Sequence, residues 1–369
     1  VSGVHGMARD VVARDWPELT LAELAPVLAA YPQAGAAQRI LWHSRRPFAA
    51  SALVACAGGT FFVKRHDSRV RDLAALGEEH AFIDHLCHAG LGVPPVLRAA
   101  DGATAVQIAD SAYELHVPGN GQDCYRDAHS WTPVGDQADG RAIGRALGRL
   151  HRAAQGFGRP ARATTLLVAG DALLRASDPV AALDRRLESE PLLSAALAGR
   201  PWREDFGSIL LPWHRMAQPF ASGQAPLWVH GDLHASNALW RDGDVSCVID
   251  FGLSNRASAI VDLATAVERN AIAWLQLDRG HTDVGHADLA CALIEGYAQA
   301  MPLTQEQLRA LPHVLPVVHL DFALSELAYF HGITHSATYA EAAYTDFLLG
   351  HAAWFSGDDG VRFLDRLSR

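Results

Sequence analysis

The chain has 369 residues, 49% of them apolar and 20% charged, with a formal net charge of −10. That length leaves room for two cores, and the negative balance argues against a surface built to grip a nucleic-acid backbone. No apolar run reaches membrane-spanning length, and the five cysteines are scattered without a CxxC pair, so reduced thiols in a cytoplasm are expected rather than a disulfide frame or structural zinc.

Residues 1–35 read as a short helical or poorly ordered lead-in. They carry Asp10, Asp15 and Glu18 and lack the basic-then-apolar layout of a signal peptide. From 38 to 116, strand-like runs near 40–43, 52–55, 60–65, 96–99, 105–108 and 113–117 alternate with one long helix near 72–88. This predicts a small antiparallel sheet with a helix against it. Pro118-Gly119-Asn120-Gly121 is a breaker cluster and marks the expected boundary between a smaller lobe, 36–117, and a larger one, 118–369. The larger lobe reads as mostly helical, near 138–154, 178–187, 191–199, 203–216, 258–276, 286–300, 304–310, 313–330 and 338–355. Ile143, Leu147 and Leu150 form the apolar stripe of the first of these helices.

Between the helices lies the stretch VHGDLHASNALWRDGDVSCVIDFG, residues 229–252. Trp228 and Val229 read as a short strand entering a polar loop. Two further strands, 238–240 and 245–250, flank Asp242-Gly243, a strong hairpin-turn signal. Such a hairpin brings Asn237 and Asp250 to the same end, beyond the loop that carries Asp232. Two carboxylates and an amide so placed suit phosphoryl transfer: one carboxylate orients an attacking hydroxyl, and the other oxygen donors hold a hard cation such as magnesium.

Lys64 is the only lysine among 31 basic residues, and it sits in the apolar run Thr60-Phe61-Phe62-Val63-Lys64. A compact ammonium on a strand suits phosphate oxygens where a planar guanidinium fits less well. In the next helix, Glu79, Phe82, Ile83 and Leu86 share one stripe, so Glu79 points with the apolar face and needs a partner. Lys64 is the expected partner, with Glu78 as the competing acid.

Lys64, Glu79, HGDLHASN and IDFG together resemble the aminoglycoside phosphotransferase family. This is the small-molecule branch of the protein-kinase-like fold, and it includes choline kinase-like and homoserine kinase-like enzymes. The resemblance covers about residues 36–355 and extends to Leu150-His151 and Asp262-Leu263-Ala264. It implies an α+β fold with a small antiparallel nucleotide-binding lobe and a larger, mostly helical lobe. It implies ATP and Mg2+ as cofactors and a small-molecule hydroxyl acceptor. By the same resemblance, Lys64 binds the α- and β-phosphates, Glu79 is its ion-pair partner and Asp232 is the catalytic acid. Asn237 and Asp250 hold magnesium, and the backbone at Leu115 and Val117 is the hinge for adenine. Two departures stand out. The hairpin near Arg45 to Ser51 lacks the glycines that usually cover phosphates, and Ala235-Ser236 replaces a frequent Pro-Gly.

Other readings compete. The alternation of His230, Asp232 and His234 fits a metal-dependent hydrolase, but it leaves Lys64, Asn237 and Asp250 without a role. A non-catalytic nucleotide-binding module is a further alternative. His313, His319, His331 and His335, with Asp321, Glu326 and Trp354, are candidates for an acceptor pocket; singly, each histidine reads better as surface or hydrogen-bonded core. Most of the negative charge falls in the larger lobe, where it either attracts a cationic acceptor or simply solvates the surface.

Overall fold

The computed structural model describes residues 4–5, 11–12, 14–277 and 279–368. Parts of the lead-in, at 1–3, 6–10 and 13, lie outside the described residues. The chain opens with a short strand pair, β1 (Val4–His5) and β2 (Val11–Val12), then helix α1 (Leu21–Ala29). Strands β3 (Ala37–His43), β4 (Ala50–Cys56) and β5 (Gly59–Asp67) precede helix α2 (Leu73–His88), and β6 (Val106–Ile108) and β7 (Ser111–His116) follow it. The five form one antiparallel sheet in the order β3-β4-β5-β7-β6.

Alternation along these strands decides what faces the ligand space. Phe61, Val63, Tyr113 and Leu115 turn to one face and pack with Leu24, Val27 and Leu28 of α1 and with Tyr31. The intervening Phe62, Lys64, His66 and His116 line a cleft on the opposite face. The lead-in thus supplies the helix that covers the outer side of the sheet. Thr20 caps it by accepting from the Glu23 amide at 3.2 Å. The run expected as a strand at 96–99 makes only an isolated bridge, Val96 to His116, because Pro94 and Pro95 cannot donate to a ladder.

The remainder is mostly helical. Helix α3 (Gln137–Ala154) leads to α4 (Ala172–Arg175), α5 (Pro179–Ser189), α6 (Pro191–Leu197), α7 (Trp202–Asp205) and α8 (Leu211–Ser222). Strands β8 (Pro226–Val229), β9 (Ala238–Arg241), β10 (Asp244–Val248) and β11 (Asn255–Ser258) follow, paired β9 with β10 and β8 with β11. Helices α9 (Ala259–Ala271), α10 (Trp274–Leu277), α11 (Ala287–Ala300), α12 (Gln305–Val314), α13 (Leu320–Gly332), α14 (Ala337–Ala342), α15 (His351–Trp354) and α16 (Asp358–Leu367) complete the chain.

The expected helix at 313–330 is broken where Pro316 sits in a 3-10 turn, and that at 338–355 is interrupted by a π-helical segment, Ala343–Gly350. Helices α3 and α11 pack closely because glycines face the contact. A Cβ at Gly144 would lie 1.9 Å from the Leu293 carbonyl oxygen, and one at Gly296 would lie 2.1 Å from that of Arg141. One large apolar core runs through this part and includes Phe82, Ile83 and Leu86 of α2, so α2 docks the sheet onto the helices. Among the described residues, no helix is long and apolar enough to cross a membrane.

Candidate active site

The loop after β8 is held by a buried carboxylate. Asp262, at the start of α9, accepts from the His230 amide at 3.0 Å and the Gly231 amide at 2.8 Å. Its Oδ2 lies 2.9 Å from His151 Nε2, and neither side chain is exposed. The Leu150-His151 and Asp262-Leu263-Ala264 segments, to which the resemblance extended, therefore meet beneath the loop. Gly231 has φ +80°, and a Cβ there would lie 2.4 Å from that of Ala169, so only glycine makes this bend. His230 Nδ1 accepts from the Asp232 amide at 3.2 Å, so its Nε2 donates to the Ile249 carbonyl at 3.0 Å. Both nitrogens are engaged, which removes His230 as a metal ligand and, with it, the alternating His-Asp-His hydrolase reading.

These bonds present Asp232 to the cleft. Its carboxylate is 3.2 Å from Arg269 Nε and 3.5 Å from His234 Nε2, with the side chain 22% exposed. Burial alone would raise its pKa, but His234 and Arg269 outweigh burial and hold the carboxyl below its ordinary range, so the group is ionised at neutral pH. Asn237 Nδ2 donates to the Asp232 carbonyl at 2.9 Å, which leaves the amide oxygen as the donor-free end of that side chain.

The β9–β10 hairpin turns at Asp242 and Gly243, with φ +52° and +77°, as a two-residue primed turn requires. At its open end the Ile249 amide donates to the Asn237 carbonyl at 2.9 Å, setting Asn237 beside the Asp250 segment. Asp250 has φ +63°, a left-handed conformation costing on the order of 1–3 kcal/mol outside glycine, though less for Asp. Lys64 Nζ reaches Asp250 Oδ1 at 2.8 Å and lies 4.0 Å from Glu114. Desolvation works against the ammonium, yet Asp250 and Glu114 prevail and raise its pKa; burial of Asp250 is likewise outweighed by Lys64, which holds that carboxyl far below its usual range.

The Lys64 to Glu79 ion pair is not formed. Glu79 is buried on α2 as its stripe predicts, but its partner is Arg162, at 3.5 Å. Arg162 also donates to the carbonyls of Gly252 at 3.0 Å and Ala75 at 2.8 Å, so the pair ties α2 to the segment after Asp250. Arg71 donates to the same Gly252 carbonyl at 2.8 Å. The acids nearest Lys64 are Asp250 and Glu114, the latter directly across the sheet from it. Glu114 carries three histidine contacts, with His66 at 3.0 Å, His116 at 3.1 Å and His80 closer still. Period-2 alternation puts Lys64 and His66, and likewise Glu114 and His116, on one face, a signal available in the sequence once the strands are paired.

The hinge assignment also changes. The Leu115 carbonyl accepts from the Leu97 amide at 2.7 Å, and the Val117 amide donates to the Pro95 carbonyl at 2.9 Å. Those groups are spent on the 95–97 segment, and Leu115 is turned into the sheet core. The stretch that lines the cleft is His116, Val117, Pro118 and Gly119.

One cavity of about 450 Å³ lies between sheet and helices and is lined by Lys64, Glu79, Asp232, Asn237 and Asp250. Leu53, Phe62, Pro94, Leu239 and Ile249 form apolar walls near the His116–Gly119 stretch, while Trp131, Arg269, Phe322, Glu326, Phe330 and Tyr339 line the side toward α13 and α14. Of the acceptor-pocket residues considered from sequence, Glu326 alone is in that lining. His319 binds the Leu348 carbonyl at 3.1 Å, His313 stacks on Phe220, and His335 binds the His331 carbonyl at 3.1 Å. Asp321 takes Arg186 at 2.8 Å, and Trp354 donates to the Thr282 carbonyl at 2.7 Å. Glu326 is buried, its Oε2 has no hydrogen-bond partner, and burial pushes its carboxyl up to about 8 despite Arg269.

A small antiparallel sheet set over helices, with an acid, an amide and a second acid converging below a strand lysine, defines a protein-kinase-like phosphotransferase. The chain belongs to the phosphotransferase enzyme family, whose sequence model it matches over residues 43–303. It is 29% identical over 279 residues to a homoserine kinase of Gluconacetobacter diazotrophicus, covering 73% of this chain and 74% of that one. Among solved structures it is similar in fold to a microcompartment-associated aminopropanol kinase, with a TM-score of 0.57 at 19% identity, over 93% of this chain and all (100%) of that one. It is also similar to the amicoumacin kinase hAmiN, solved with AMP-PNP, Ca2+ and Ami, with a TM-score of 0.55 at 14% identity over 94% and 92% of the two chains.

Proposed function

We propose that this phosphotransferase moves the γ-phosphoryl group of ATP to a hydroxyl of a small-molecule acceptor, within the range of amino sugars, amino alcohols, homoserine-like compounds and sugars. The observation that carries the reading is the 2.8 Å contact of the lone lysine with Asp250, in one cavity with Asn237 and Asp232. The relatives named as kinases of small hydroxyl compounds, and the neighbour bound to an ATP analogue and a divalent cation, support it.

The donor set fits a hard cation: two oxygen-bearing side chains at one end of a hairpin, with Asp250 40% exposed toward the cleft. Asn237 and Asp250 would hold magnesium, which when bound neutralises charge on the phosphate oxygens. Lys64, set by Asp250 and Glu114, provides a fixed positive charge for the nucleotide's phosphates. The apolar walls near His116–Gly119 take the base. Asp232 orients the acceptor hydroxyl and receives its proton late, as the acceptor oxygen bonds to phosphorus and the bond to the β–γ bridging oxygen breaks. Positioning and electrostatics do the work, with no covalent enzyme intermediate.

The test is incubation with ATP, Mg2+ and a panel of hydroxyl-bearing metabolites, with ADP release and the mass of each acceptor followed. A phosphorylated acceptor formed by the wild type and lost by orders of magnitude in Asp232→Asn, with ATP binding intact, is expected. Tight ATP binding with no turnover on any acceptor favours the non-catalytic module instead.

A further inference from the structure

The β3–β4 hairpin poses a problem for a phosphate site. Its tip, Ser44-Arg45-Arg46-Pro47-Phe48-Ala49, has no glycine to let the backbone approach phosphate, and Pro47 has no amide hydrogen to offer. The tip nonetheless reaches into the cleft. Phe48 packs edge-on against Tyr329 at 5.2 Å and near Phe330 at 6.1 Å, both on α13. Arg14 donates to the Ser44 carbonyl at 2.8 Å, and the Arg46 amide donates to Ser44 Oγ at 3.2 Å. The loop is therefore tied to the lead-in at Ser44 and seated on the helical lobe at Phe48.

Its side chain crosses the cleft. Arg46 Nη1 donates to Ser130 Oγ at 2.6 Å, and Nη2 donates to Ser236 Oγ. Ser236 stands between Asp232 and Asn237 in the loop. The carboxylates that most offset the burial of this guanidinium are Asp250, Asp232 and Asp123. Arg46 lines the same cavity as the acid expected to orient the acceptor and the acid expected to hold the cation. A planar fork with fixed donors is the side chain best matched to phosphoryl oxygens, and it can be aimed by two serines before any ligand arrives.

We propose that the Arg46 guanidinium donates hydrogen bonds to the γ-phosphoryl group during its transfer, supplying from a side chain what a glycine-rich loop supplies from backbone amides. Ser130 and Ser236 are positioning residues that aim it. No atom passes to or from Arg46; it stabilises the charge on the three equatorial oxygens while the β–γ bond breaks. The inference rests on the phosphotransferase reading above, and a binding experiment separates the two without an acceptor.

Affinities for Mg2+-ADP and Mg2+-AMP-PNP are measured by calorimetry on the wild type, Arg46→Met, Arg46→Lys and Ser236→Ala. Arg46→Met is expected to lose about tenfold to a hundredfold in affinity for AMP-PNP while ADP binding stays within about threefold, because only the analogue carries a γ-phosphate. Retained ADP binding also reports that the variant is folded. Arg46→Lys keeps the charge and recovers part of the loss, and Ser236→Ala shows a smaller loss in the same direction. Unchanged AMP-PNP affinity in Arg46→Met, or an equal loss for both nucleotides, overturns the assignment. A wild type that binds neither nucleotide removes the phosphotransferase reading itself.

Discussion

Replacing Asp262 by asparagine tests how the loop bearing Asp232 is held. The carboxylate accepts three contacts in a fully buried setting: the His230 amide at 3.0 Å, the Gly231 amide at 2.8 Å and His151 Nε2 at 2.9 Å. An amide has the same shape but only one oxygen, so its NH2 must face at least one of those donors. Losing a hydrogen bond to a charged group costs about 1.5–3 kcal/mol, and leaving a buried donor unpaired adds to that. A loss of roughly 3–4 kcal/mol in stability is expected on that basis. The loop also loses its register beneath Asp232, and a displacement near 1 Å of a positioned group costs about a hundredfold in rate. Asp262→Asn should therefore lower the denaturant midpoint and kcat together, while ADP affinity, which the proposed function assigns to Lys64 and the apolar walls, changes little. Equilibrium urea unfolding, steady-state turnover and ADP calorimetry on one preparation give all three. A variant as stable and as fast as the wild type would refute the argument that this carboxylate organises the loop.

Further outcomes follow from other contacts. Lys64→Arg keeps the charge but replaces a compact ammonium 2.8 Å from Asp250 with a bulkier fork, so activity should not be restored; a fully active variant would contradict the role given to the lone lysine. The depressed Asp232 carboxyl is ionised above its folded-state value, so the acid limb of a kcat/KM–pH profile should fall only below about pH 4, the ordinary aspartate range, and a limb near neutrality would point to another base. Glu326 titrates at about 8 when folded and in the ordinary glutamate range when unfolded. Its contribution to stability is full below the unfolded value and disappears as pH rises through 8. Glu326→Gln should remove that loss, at most roughly 5 kcal/mol, and so be relatively more stable at pH 9; parallel stability–pH curves for variant and wild type would count against it.

Much of the architecture was legible because it depends on local chemistry. The Asp242-Gly243 turn needed two positive φ angles and has them, and the Asp72 cap accepts from Ala75 at 2.7 Å at the start of the helix expected there. The stripe through Glu79, Phe82, Ile83 and Leu86 correctly put a carboxylate in the core. Its partner was misread because Arg162 comes from a coil segment with no periodicity to announce it, and a single lysine made the nearer choice attractive. The hinge expected at Leu115 and Val117 came from the resemblance; Val117 does line the cleft, but nothing in the strand pattern shows that Leu97 and Pro95 occupy the Leu115 carbonyl and the Val117 amide. The reach of Arg46 is not legible in the hairpin's sequence, because its partners Ser130 and Ser236 come from loops 84 and 190 residues away. Pro316 should have warned against one continuous helix over 313–330.

The most direct test of the account is metal-linked nucleotide binding at Asp250. Titration of AMP-PNP into the wild type with and without Mg2+, repeated on Asp250→Ala, should show tight binding that depends on magnesium in the wild type and loss of that dependence in the variant. Equal affinity in all four titrations would contradict a cation and triphosphate held by Asn237, Asp250 and Lys64.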